Sequence, residues 1–68
     1  VIEVGSYWRY IFSNKVVQIT EVGTITLVAE WEYSWGDDDE PRMFSREYDI
    51  EYFLTQFKQL TPLEAELL

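Results

Sequence analysis

Cysteine and histidine are both missing from this 68-residue chain. Without Cys, no disulfide can staple the fold and no thiolate can hold a metal or act as a nucleophile. A reducing compartment suits that composition. Without His the commonest proton shuttle is gone, and Ser6, Ser13, Ser34 and Ser45 have no imidazole to activate them. Bases are scarce too: five Lys and Arg stand against thirteen Asp and Glu, for a net charge of −8. A polyanion gains affinity by exchanging its counterions for Lys and Arg, so direct nucleic-acid binding is not expected. A basic protein surface is the partner that the charge favours. No apolar run approaches the ~18 residues of a membrane span. Glu3 and Gly5 interrupt the start of the chain, so no signal peptide is expected and the expected location is cytoplasmic.

Aromatic side chains are plentiful. Three Trp, five Tyr and four Phe supply large buried area per residue. A chain this short buries only roughly 60% of its unfolded surface, so it needs that area. Residues 1–68 read as one domain with one core, without an internal repeat or linker.

Strand formers crowd Tyr7 to Phe12, where either Tyr7, Arg9 and Ile11 or the more apolar Trp8, Tyr10 and Phe12 faces inward. Ser13-Asn14-Lys15 breaks the run, with Asn available for a positive φ, and Val16 to Val22 resumes it as the second arm of a hairpin. Gly23 supplies the next turn. From Thr24 to Tyr33 the apolar Ile25, Leu27, Ala29, Trp31 and Tyr33 alternate with Thr24, Thr26, Val28, Glu30 and Glu32. Period two marks a strand with one face on the core and one in water. A loop follows from Ser34 to Arg42, and Met43 to Tyr48 reads as a fourth strand.

The period then changes. Ile50, Phe53, Leu54 and Phe57 form a helical stripe behind Asp49 as N-cap, with Glu51 in the first turn. Leu60 ends that helix or lies on a last strand. Thr61-Pro62-Leu63-Glu64 is a capping box opening a short helix through Leu68. Two mainly β architectures fit: a five-stranded SH3-like barrel in antiparallel meander order with a short helix near the C-terminus, or an open antiparallel sheet with one packed helix. They differ in whether Phe57 to Leu60 is strand or helix.

The layout Val4-Gly5-Ser6-Tyr7-Trp8-Arg9-Tyr10, a strand pair, a Val/Ala-rich strand, Met43-Phe44-Ser45 and Asp49-x-x-x-Phe53-Leu54-x-x-Phe57-x-x-Leu60 resembles small SH3-like domains of unknown function from phages and bacteria. The resemblance runs over residues 4 to 60 and rests on short, core-forming motifs. It implies the barrel rather than a function, and a host-cytoplasm location if the chain is phage-encoded. The Ala-Leu-Tyr-Asp-Tyr start and paired Trp of peptide-binding SH3 domains are absent, so Pro-rich ligands are not implied.

Asp37-Asp38-Asp39-Glu40 follows Gly36. A calcium loop needs acids at alternate positions and a Gly within them. Consecutive acids point in divergent directions, so a solvated loop tip is expected and no metal or cofactor is called for. No cleft with a partnered, raised-pKa carboxyl can be read from the sequence, and an enzyme is not expected. The candidate contact residues are Glu30 and Glu32 on the outward face of the third strand, Trp35 in the loop, and Asp37, Asp38, Asp39 and Glu40. Glu47 and Glu51 join them if strand four pairs with strand three. An exposed Trp beside carboxylates suits a basic peptide or a methylated ammonium. Three readings follow: a non-catalytic interaction domain for a basic protein, a DNA mimic that inhibits a nucleic-acid-binding enzyme, or a structural subunit of a larger assembly.

Overall fold

The computed structural model describes residues 2–33 and 41–67. Five strands form one antiparallel sheet: β1 (Tyr7–Tyr10), β2 (Val16–Val22), β3 (Thr26–Tyr33), β4 (Arg42–Asp49) and β5 (Phe57–Gln59). Helix α1 (Ile50–Gln56) links β4 to β5, and α2 (Pro62–Glu66) ends the described chain. The strand order is β4-β3-β2-β1-β5. Among the described residues β4 and β5 share no hydrogen-bonded ladder, so the sheet is open rather than a closed barrel. Of the two expected architectures, the open antiparallel sheet with a packed helix is the one observed. Phe57 is strand, as the barrel required, yet the sheet stays open and carries a packed helix.

Aromatic side chains link the two ends of the sheet where hydrogen bonds do not. Tyr48 of β4 meets Phe57 of β5 edge-on at 5.6 Å between ring centroids. Phe53 of α1 stacks on Phe57 at 4.3 Å and meets Trp8 edge-on at 5.2 Å. Trp8, Val17, Ile19, Leu27, Ala29, Tyr48, Phe53 and Phe57 form the buried core. The Trp8 indole N–H donates to Ser6 Oγ at 3.0 Å, so burying that ring leaves no polar group unpaired.

The alternation of β3 holds at its centre and fails at its ends. Leu27 and Ala29 are buried and Trp31 is half-buried, but Ile25 and Tyr33 are exposed. Ile25 lies outside the strand and Tyr33 is its last residue, so the expected inward face is shorter than its sequence pattern. Phe12 is likewise exposed, because β1 stops at Tyr10. The turn at Ser13 to Lys15 uses no positive φ, since no described residue other than Gly5 has one. A bulge between Ile19 and Glu21 adds a residue to β2, and the Thr20 hydroxyl there donates to the Val28 carbonyl at 3.3 Å.

Local signals set both helices. The Asp49 carboxylate accepts from the Glu51 N–H at 3.0 Å. Thr61 and Glu64 form the reciprocal capping box, whose hydrogen bonds from Thr61 hold the Glu64 carboxyl below the usual carboxylate range. Leu63 and Leu67 are exposed and do not pack back on the sheet. No helix among the described residues is long and apolar enough to cross a membrane.

Gly5 has φ +90°, and its N–H donates to the Ile19 carbonyl at 2.7 Å. An added Cβ would meet nothing within 4 Å, so strain there comes from the backbone alone. Gly5→Ala is expected to destabilise by about 1–2 kcal/mol. A lower urea midpoint with an unchanged m-value checks this.

Candidate functional site

The pairing of β3 with β4 determines which acids share a face. Residues directly opposite in an antiparallel ladder point to the same side of the sheet. Thr26 faces Asp49, Val28 faces Glu47, Glu30 faces Ser45 and Glu32 faces Met43. Glu30, Glu32, Glu47 and Asp49 therefore stand together on the outer face, away from the core. Glu21 joins them through the β2 bulge, which puts it opposite Val28. Glu51 lies in the first turn of α1 and is not part of this ladder.

Glu30 and Glu32 border one shallow depression of about 240 Å3, together with Tyr7, Gln18 and Met43. Glu21 and Glu47 border a neighbouring depression of about 410 Å3 with Thr20 and Val28. The first combines carboxylates with an aromatic ring and a thioether. Such a surface matches a Lys or Arg side chain, whose apolar stem lies on ring and thioether while its head reaches the acids. Of the other residues singled out from sequence, Trp35, Asp37, Asp38, Asp39 and Glu40 lie outside the described residues. Among the described residues no three metal-ligating side chains come together.

The opposite face has the other charge. Arg42, Phe44, Arg46 and Tyr48 alternate along β4 on the inward side, since Arg46 is opposite buried Ala29 and Tyr48 opposite buried Leu27. Lys15 comes from the β1–β2 turn and puts its Nζ 3.5 Å from the centre of the Trp31 ring. The Arg46 guanidinium lies 5.2 Å from the Tyr48 ring centre. Burial holds Lys15 below the usual lysine range, and the neighbouring Arg46 cation pushes the same way. A cleft of about 280 Å3 opens here, lined by Tyr10, Ser13, Lys15, Arg46, Tyr48, Tyr52 and Phe57.

Sequence reasoning did not single out this cleft. Its one local signal is the alternation of two Arg with two aromatics at every second position of β4. The lysine that completes it is brought in by the hairpin from far away in the chain.

Comparison with protein-family models, with curated proteins and with solved structures finds no match to this chain.

Proposed function

We propose that this chain is a non-catalytic interaction domain that takes a basic protein partner on the outer face of β3 and β4. One observation carries the reading: Glu30 and Glu32 edge the same depression as Tyr7 and Met43. Acids alone would only keep a small domain soluble. Acids around an aromatic and a thioether make an anchor point, with packing and charge acting on the same incoming side chain. Asp37 to Glu40 lie a few residues beyond Glu32 in sequence and extend the acidic character of that segment.

The test is capture from a lysate at low and high salt, with two variants of equal net charge. Glu30→Lys with Glu32→Lys reverses the depression, whereas Glu51→Lys with Glu66→Lys changes the two helices. The unmodified domain should recover a basic protein that high salt releases. The first variant should weaken that complex by about tenfold or more and the second should leave it nearly unchanged. Equal loss in both variants would show that net charge rather than this face is recognised, and the proposal would fail. If the captured protein binds nucleic acid and DNA competes with the domain for it, the reading narrows to a DNA mimic.

A further inference from the structure

The cleft on the inward face lies apart from the acidic surface and opens beside the core rings Tyr48 and Phe57, and its chemistry is selective. Three of its residues are tyrosines, one is Ser13, two are the cations Lys15 and Arg46, and Phe57 forms its apolar wall. Every polar side chain lining it can donate a hydrogen bond, and none is a carboxylate. In a chain of net charge −8, that is a local reversal of sign. Lys15 and Arg46 face aromatic rings, and neither forms an ion pair with a described carboxylate.

Two neighbouring cations with no counter-ion among the described carboxylates repel each other; burial chiefly, and then the Arg46 cation, hold Lys15 below the usual lysine range. An anion between them would remove that repulsion. The carboxylates of the outer face point away from the cleft, and salt at physiological strength screens charges beyond about 8 Å. A phosphate suits the donor set better than a carboxylate does. It offers more acceptor oxygens, and guanidinium engages it through two parallel hydrogen bonds. The rings supply a second requirement. Exposed Tyr52 and half-buried Tyr10 present aromatic surface on which a planar group can stack, while Tyr48 and Phe57 line the cleft from the buried core. The size agrees, since about 280 Å3 is near the lower end of small-ligand pockets, roughly 300–1,000 Å3.

We propose that this cleft binds a small aromatic phosphate, its ring against Tyr10 and Tyr52 and its phosphate between Lys15 and Arg46. This site is independent of the partner face on β3 and β4, and either can fail without the other. Two natural sources carry the chemistry: a nucleoside monophosphate and the phosphotyrosine side chain.

The experiment is titration of the isolated domain, followed by amide chemical shifts, with phenyl phosphate, inorganic phosphate, thymidine monophosphate and free phosphotyrosine. Phenyl phosphate should shift residues around Lys15, Arg46 and Tyr52, and bind about tenfold or more tightly than inorganic phosphate because the ring adds its own contacts. Lys15→Gln and Arg46→Gln should each weaken phenyl phosphate by about tenfold. Lys15→Arg should retain binding, and an unchanged shift pattern elsewhere shows that the variants are folded. The tighter of the two natural ligands identifies the source. Equal affinity for phosphate and phenyl phosphate, shifts confined to other surfaces, or indifference to both Gln variants would each overturn the proposal. So would failure of both natural ligands.

Discussion

Phe53→Ala is expected to cost about 3–5 kcal/mol, the usual range for emptying a buried aromatic site. Phe53 is fully buried and lies at the junction where the sheet is not closed by hydrogen bonds. Its ring is within 5.6 Å of Trp8, Tyr48 and Phe57, which come from β1, β4 and β5. Removing it leaves three rings facing a void that the short helix cannot collapse to fill. A domain of this length has about 3–10 kcal/mol of stability in total, so much of the population should unfold. Urea titration followed by Trp fluorescence measures this directly, because Trp8 reports on the lost contact. Phe53→Leu should lose far less. A loss below about 1 kcal/mol for the alanine variant would mean that the core does not converge on this ring.

Ala29→Asp is expected to abolish folding at neutral pH, while Glu30→Ala, one position along, should change stability by no more than about 0.5 kcal/mol. Ala29 has no exposed surface and sits between Ile19 and Arg46 on the inward face of β3. A carboxylate there must give up water at a site with no exposed surface, a cost of several kcal/mol that the exposed Arg46 opposite offsets only in part. Lowering the pH should recover part of the fold, since burial raises the acid's pKa and its neutral form is the cheaper one to bury. The contrast tests the strand's two faces with one-residue precision. Circular dichroism across pH distinguishes the outcomes. Comparable loss at both positions would show that β3 does not alternate as described.

Most of what was legible in the sequence is local. Turn residues bounded β2, the apolar alternation located the middle of β3, and Asp49 and Thr61 marked the two helix starts, since each signal acts within a few residues. The ends of the pattern misled. Ile25 and Tyr33 fit the period of β3 but are exposed, because burial depends on what packs opposite, which periodicity does not contain. Phe57 fitted the helical stripe and does reach the core, but from a strand, with its backbone at φ −128° and ψ 151°. Whether the sheet closes was likewise beyond local signals, since it depends on β4 and β5 meeting across the whole fold.

The candidate faces divide in the same way. Glu30 and Glu32 were readable as outward-facing from alternation alone. That Glu47 and Asp49 stand beside them follows only from the β3–β4 register. The inward cleft was hidden because Lys15, from the β1–β2 turn, and Arg46, from β4, are far apart in the chain and meet only through the strand order.

The central claim is that the outer face of β3 and β4 is where a basic partner docks. Amide chemical-shift mapping of the labelled domain with the captured partner tests it most directly. The account predicts perturbations centred on Tyr7, Gln18, Glu30, Glu32, Met43 and Ser45, vanishing as salt is raised. Perturbations confined to α2 or to the Lys15–Arg46 cleft, with Glu30 and Glu32 unmoved, would contradict it.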